Sequence, residues 1–226
     1  MNTYFFPFIP LLLSNTVMMT TAAQKKQPNI LFCIADDAGH MSAYGTSWVN
    51  TPAFDKVARE GLLFEQAFTC NAKSAPSRAA IITGRNSWQL KEACNHWPVF
   101  PYEFKSYPEA LSDNGYYVGY TGKGWGPGFA NDIRGNKRDI TGKPWNRKKL
   151  VPPTTQISNV DYSANFKDFL KNWDRKQPFC FWYGSLEPHR GYEFESSRRF
   201  GKDTSQIDSV PSYWPDNEVV RRDMLD

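Results

Sequence analysis

The sequence is poor in cysteine and histidine, and neither sign of charge dominates it. Only 4 cysteines and 3 histidines occur among its 226 residues, with no C-x-x-C pair and no histidine at ligand spacing. This excludes a structural zinc site as the first interpretation and leaves one disulfide open. The 27 basic and 23 acidic residues give a net charge of only +4, far from the clustered basicity of a nucleic-acid-binding protein. We therefore expect no nucleic-acid partner.

Long apolar runs are also scarce. The single strongly apolar stretch, residues 4–13, contains two prolines and is too short to span a bilayer as a helix. It resembles the core of a signal peptide, because small residues at 20–23 and then a polar segment follow it. We predict a signal peptide over residues 1–23, no stable membrane insertion, and an exported protein that is periplasmic or secreted.

Aromatic residues, in contrast, are plentiful at 15%, and charged residues make up 22%. This composition favours a folded globular protein over a disordered one. At roughly 150 residues per domain, the length allows one large domain or two small ones.

Apolar runs and helix signals alternate along the chain. The run at 29–35 is typical of a strand buried on both faces and predicts a central parallel strand, and further strand-like runs lie at 62–68, 116–121 and 179–183. The alternation predicts an α/β fold with a mostly parallel central sheet, whose ligands bind beyond the carboxyl ends of the strands. The helix signals between the runs are Thr51 capping a helix that begins at Pro52 and ends at Gly61, residues 77–83 ended by Gly84, residues 108–114 ended by Gly115, and a longer helix capped by Asp161.

Asp36 and Asp37 directly follow the first predicted strand. Adjacent carboxylates repel each other unless a cation neutralises them, and a hard divalent ion would do so. An acidic pair in a loop is also a common turn or helix cap, so the pair alone leaves both interpretations open.

A second feature is the segment 74–85, SAPSRAAIITGR. Pro76 suits the first helical turn, so Ser74 is expected near a helix N-terminus, where anions are favoured. Arg78 adds a fork of donors suited to an oxyanion. A Ser-capped helix without function would have a similar outline.

A third feature is the basic segment 132–149, where seven basic residues stand against two acidic ones. It is either a solvated loop or an electrostatic guide for a polyanionic substrate.

The segment 74–85 resembles the sulfatase signature C/S-x-P-S-R followed by T-G-R, in its serine form. The resemblance covers residues 28–226 and implies an alkaline-phosphatase-like α/β sandwich. Four segments resemble the heparan N-sulfatase branch more than the arylsulfatases: Phe68-Thr69, residues 76–79, Pro188-His189-Arg190 and residues 210–223. The other matching segments are 28–37, 50–55, 64–68, 115–123 and Pro188-His189-Arg190.

This resemblance implies a chemistry. Ser74 would be converted to formylglycine by a maturation enzyme, and the hydrated aldehyde would attack sulfur and then expel sulfate. The substrate would be a sulfated carbohydrate bearing a sulfate ester or a sulfamate. The implied roles are calcium ligands for Asp36, Asp37 and Ser74, binding of the hydrated aldehyde for Arg78, contact with the sulfuryl group or leaving-group protonation for Lys123 and His189, and substrate binding for Arg190.

The sequence departs from the family pattern at three places. Lys73 precedes the nucleophile position, and Trp125 stands where the family usually has a histidine. The chain also ends at Asp226, before the family's second metal-ligand pair and second active-site lysine. We therefore expect residues 24–226 to be the N-terminal part of the catalytic domain, inactive alone.

Two other functions compete with this interpretation. A phosphoryl-transfer enzyme of the same fold would use unmodified Ser74 with two metals, although such sites usually need several histidines. A non-catalytic carbohydrate-binding remnant would use the aromatic residues as sugar-stacking surfaces.

Overall fold

The computed structural model describes residues 27–226. The predicted signal peptide, residues 1–23, lies outside the described residues. Within residues 27–226, no helix is both long and apolar enough to cross a membrane.

A parallel four-stranded sheet forms the centre of the fold. Its order is β1-β6-β3-β5, and β2 and β4 form a separate parallel pair. The strands are β1 (Ile30–Ala35), β2 (Val99–Phe100), β3 (Tyr117–Gly122), β4 (Phe129–Ala130), β5 (Lys143–Pro144) and β6 (Phe179–Ser185). Because the four strands of the sheet are parallel, their carboxyl ends meet at one edge.

The strand buried on both faces is β6. Within the described residues, β1 lies at an edge of the sheet. Phe32 and Ile34 of β1 pack against the core, whereas Leu31 on the opposite face is 48% exposed. Within residues 27–226, β1 is therefore an edge strand and not the central strand that was expected. Its apolar run matches a buried strand in composition, but among the described residues β6 and β3 are the strands with neighbours on both sides.

Helices cover both faces of the sheet. Trp182 of β6 packs with Ala79 and Ile82 of α2, whereas Phe179 and Phe181 pack with α4 on the other face. This alternation along one strand places the sheet between two helical layers and confirms the predicted α/β sandwich. The helices are α1 (Pro52–Glu60), α2 (Ser74–Thr83), α3 (Tyr107–Asp113), α4 (Tyr162–Asn172), α5 (Ser196–Arg199) and α6 (Glu218–Leu225).

The helix boundaries follow the local signals. Gly84 ends α2 in the left-handed conformation at φ 66°, where a glycine costs least. The Asp161 side chain accepts a hydrogen bond from the Ala164 amide and caps α4, as predicted. Phe169 of α4 is fully buried, and a Phe→Ala change at such a site costs about 3–5 kcal/mol.

Two other expectations are wrong. Residues 62–68 form no strand, and Leu62 and Phe68 are 84% and 87% exposed. β-like composition needs a partner strand, and this segment has none within the described residues. Thr51 precedes α1 as expected but does not cap it, because its hydroxyl instead bonds Ser42 and Asp55.

The four cysteines are free thiols. No disulfide therefore forms among residues 33, 70, 94 and 180.

Candidate active site

The predicted site residues meet at the carboxyl edge of the sheet. Asp36 and Asp37 follow β1, Lys123 follows β3, and His189 lies in the loop after β6. Ser74 is the first residue of α2. The structure thus brings loops from three parallel strands and one helix N-terminus to the same edge.

Ser74 lies between a carboxylate and a cation. Its Oγ donates a hydrogen bond to Asp36 Oδ1 at 3.2 Å and accepts one from Lys123 Nζ at 3.0 Å. Lys123 Nζ also pairs with Asp36 Oδ2. Because Ser74 is at the start of α2, the partial positive charge of the helix adds to that of Lys123 and favours negative charge on this oxygen.

Arg78 is buried one turn along α2 and holds two parts of the site together. Its guanidinium donates to Asp36 Oδ1 at 3.2 Å, to the Lys123 carbonyl at 3.0 Å and to the Gly124 carbonyl at 2.9 Å. Burial lowers the pKa of Arg78, and the charge of Asp36 counteracts that effect. The observed partners of Arg78 are thus Asp36 and the loop after β3, and it makes no hydrogen bond to Ser74.

Asp36 is only 5% exposed but remains suited to carrying charge. Burial alone would raise the pKa of its carboxyl, but the Lys123 hydrogen bond and the charges of Arg78 and Lys123 outweigh burial and lower it. The carboxylate can therefore accept hydrogen bonds from Ser74, Arg78 and Lys123 at neutral pH.

The backbone at Lys123 is fixed by the close approach of β3 to β6. Gly122 has φ 70°, and a Cβ there would lie 1.9 Å from the Gly184 carbonyl oxygen, so only glycine fits. Asn146 Oδ1 accepts from the Gly122 amide at 2.7 Å, and its Nδ2 donates to the Gly122 carbonyl at 3.3 Å. The Trp182 indole donates to the Lys123 carbonyl at 2.9 Å. Asn146 and Trp182 carry no motif, so sequence reasoning missed their contribution.

Asp37, His189 and Arg190 form a more open part of the site. Asp37 has φ 60°, and its carboxylate, which is 56% exposed, lies 3.7 Å from His189 Nε2. Arg190 pairs with Asp223 of α6, and its guanidinium lies 5.5 Å from the Tyr192 ring centroid. Neither His189 nor Arg190 makes a hydrogen bond to Ser74 among the described residues.

A pocket of about 440 Å³ connects these two parts. Lys123 and Asp36 lie on its wall with His189 and Arg190. Trp125 also lines it, and its indole Nε1 is buried without a hydrogen-bond acceptor.

Asp36, Asp37 and Ser74 supply oxygen donors of the kind that calcium prefers. Asp36 Oδ1 and Ser74 Oγ lie 3.2 Å apart. In the described part of the chain, no three His, Cys, Asp or Glu side chains are grouped so as to hold a metal ion. Because calcium takes six to eight oxygen ligands, two carboxylates and a hydroxyl fit part of a calcium site rather than a whole one.

Comparison with known proteins identifies the family to which this chain belongs. The family model described as Sulfatase matches residues 28–218. N-acetylglucosamine-6-O-sulfatase of Bacteroides thetaiotaomicron is 30% identical over 184 residues, which cover 75% of this chain and 32% of the relative. Human N-sulphoglucosamine sulphohydrolase is 29% identical over 205 residues, covering 83% of this chain and 38% of the relative. The chain therefore spans about a third of the curated relatives it matches.

Solved structures share the fold. BT4656, solved in complex with its substrate D-glucosamine-2-N,6-O-disulfate, is 26% identical with a TM-score of 0.55, over 83% of this chain and 40% of that one. BT1596, a 2-O GAG sulfatase, is 25% identical with a TM-score of 0.55, and the match covers 73% of this chain and 36% of that one. A phosphonate monoester hydrolase of Agrobacterium radiobacter is similar in fold alone. It is 19% identical with a TM-score of 0.57, and the match covers 81% of this chain and 45% of that one. The described residues thus form an alkaline-phosphatase-like α/β sandwich.

Proposed function

Because the chain belongs to the sulfatase family, we propose that the whole protein hydrolyses a sulfate ester or a sulfamate on a sulfated carbohydrate. The observation that carries the proposal is the position of Ser74, at the start of α2 and in contact with Asp36 and Lys123. The relatives named for glucosamine sulfates and sulphoglucosamine support a glycosaminoglycan substrate such as heparan sulfate.

Ser74 is proposed as the residue that a maturation enzyme converts to formylglycine. That group, when formed, supplies an aldehyde whose hydrate is a nucleophile with a built-in means of release. The chain's own residues prepare the position for it. Lys123 Nζ lies 3.0 Å from the side-chain oxygen and stabilises negative charge there, while the Asp36 carboxylate accepts a hydrogen bond from it. Arg78 holds the Asp36 carboxylate beside the Lys123 backbone by donating hydrogen bonds to both.

Asp36 and Asp37 are proposed as calcium ligands, together with the oxygen of residue 74. The ion would supply Lewis-acid stabilisation and orientation of the sulfate oxygens. Further ligands would come from residues of the whole protein beyond those described, or from water.

His189 and Arg190 are proposed to face the substrate from the open side of the pocket. His189 Nε2 lies 3.7 Å from the Asp37 carboxylate, on the wall of the pocket. A histidine side chain can act as a general acid toward a leaving oxygen or nitrogen. Arg190 would bind an anionic part of the sugar.

The remaining proposals concern the whole protein. Residues 1–23 would direct export to the periplasm or the exterior, and residues 24–226 would form the N-terminal part of the catalytic domain. Phosphoryl transfer by unmodified Ser74, or carbohydrate binding without catalysis, are the alternatives that an experiment must distinguish.

The test is sulfate release by the whole protein, coproduced with a formylglycine-generating enzyme. We expect release from sulfated glucosamine substrates, a loss of more than ~10³-fold in Ser74→Ala, and no change in Ser112→Ala, a matched substitution on the exposed side of α3. Hydrolysis of phosphomonoesters in place of sulfates would favour phosphoryl transfer. Binding of the glycan without hydrolysis would favour the carbohydrate-binding remnant.

A further inference from the structure

A second cavity, of about 260 Å³, adjoins the pocket that contains Lys123. The two cavities share Tyr120 and Trp125 as wall residues. The second cavity is lined further by Phe129 of β4, by Asn131 directly after it, and by Lys137 and Asp139 of the basic segment 132–149. The second cavity therefore lies next to the first, with Tyr120 and Trp125 between or beside them.

The aromatic part of this lining is left open to a ligand. Phe129 is 61% exposed although the pairing of β4 with β2 fixes its backbone. The Trp125 indole N–H is buried and has no acceptor in the structure. A buried donor without a partner is costly, and a ligand hydroxyl or sulfate oxygen would satisfy it. Aromatic faces beside an unsatisfied donor suit a pyranose ring.

The polar part of the lining contains a cation that is weakly held. The Lys137 side chain is 80% exposed, and its pair with Asp139 at 3.4 Å is of the exposed kind that contributes little. The Asn131 side-chain amide makes no hydrogen bond among the described residues. Lys137 and Asn131 are therefore free to donate to an anionic group.

The neighbouring Arg138 has a different role. Its guanidinium donates to Glu109 and to the carbonyls of Tyr102 and Phe104, so it is committed to the protein. This network anchors the segment at the residue next to Lys137. Arg138 is thus held by the protein, while the lysine beside it remains exposed.

We propose that this cavity binds the sugar adjacent to the sulfated one, and that it selects a neighbour carrying a carboxylate or sulfate. The inference rests on the proposed sulfatase function and names its substrate as an acidic oligosaccharide. Lys137 pairs with the anionic group, Phe129 packs on the ring, and the Trp125 indole donates to an oxygen.

The test compares a sulfated monosaccharide with a disaccharide in which the same sulfated sugar is linked to an acidic sugar. We measure kcat/KM of the whole protein on both, for Lys137→Gln, Phe129→Ala and the control Lys171→Gln on the exposed side of α4. Both cavity variants should lose roughly 10-fold on the disaccharide and nothing on the monosaccharide, and the control should match the parent. Equal effects on both substrates, or none on either, would overturn the proposal.

A binding measurement separates this inference from the proposed function. Affinity for the desulfated acidic disaccharide is measured by calorimetry at two salt concentrations. Binding that weakens in Lys137→Gln and with salt supports the cavity, even if no sulfate is released and the sulfatase proposal fails. Binding unaffected by Lys137→Gln overturns the cavity, even if sulfate release is normal.

Discussion

Replacing Arg78 by methionine tests whether this buried guanidinium holds the site together. The Arg78 side chain is 3% exposed, and the substitution removes hydrogen bonds to Asp36 and to the carbonyls of Lys123 and Gly124. Removing one partner of a buried ion pair costs about 3–5 kcal/mol. The lower part of this range is expected, because Asp36 keeps its pair with Lys123.

The assay is thermal unfolding of the whole protein, followed by circular dichroism, with urea midpoints as a second measure. Arg59→Met is the matched control, because Arg59 lies exposed on α1 and forms no ion pair among the described residues. It should change the free energy of unfolding by less than about 0.5 kcal/mol. Arg78→Lys keeps the positive charge but lacks the planar guanidinium with its several donors, so its Tm should lie between those of Arg78→Met and Arg59→Met. An Arg78→Met Tm equal to that of the control would refute the reasoning.

Three further predictions concern residues around the site. Asn146→Leu removes the amide that braces the strand before Lys123, so it should cost about 1–3 kcal/mol in unfolding experiments and lower kcat; an unchanged kcat would contradict the bracing role. Burial raises the pKa of Cys180 from 9.0 to about 11, so mass spectrometry should find its thiol unalkylated by iodoacetamide at pH 8 until urea is added. The pKa of the Cys180 thiol is higher in the folded state than in the unfolded state. The neutral thiol therefore contributes its full stabilisation below pH 9, and this contribution is lost as pH rises towards 11. Asp223→Asn releases Arg190 from its ion pair, so KM should rise several-fold with kcat nearly unchanged, whereas a fall in KM would mean that Asp223 competes with the substrate.

Local signals predicted much of the fold. Helix α2 with Gly84, the Asp161 cap of α4 and the run that forms β6 all follow rules that act within a few residues. Properties set by partners distant in sequence were not predictable in the same way. The edge position of β1 depends on which strands flank β6, and the unpaired segment 62–68 depends on the lack of a neighbour within the described residues.

The candidate site was predictable in its residue types and only partly in its contacts. The meeting of Asp36, Ser74 and Lys123 follows from parallel strands that end at one edge. The hydrogen bonds from Arg78 to two loop carbonyls, and the pairing of Asn146 with Gly122, depend on how loops fold back over the sheet. No spacing in the sequence encodes those contacts.

The most direct test of the account is the mass of the peptide spanning Ser74, taken from protein produced in its native host. Serine-type signatures resemble those matured by a radical, oxygen-independent enzyme, so Ser74 should lose two hydrogens there and remain serine in a host that lacks the enzyme. Sulfatase activity should follow the modified fraction across preparations. Lys73, beside the target, adds a charge that could hinder maturation, and Lys73→Ala should leave the modified fraction equal or higher. Unmodified Ser74 together with full sulfatase activity in the native material would contradict the account.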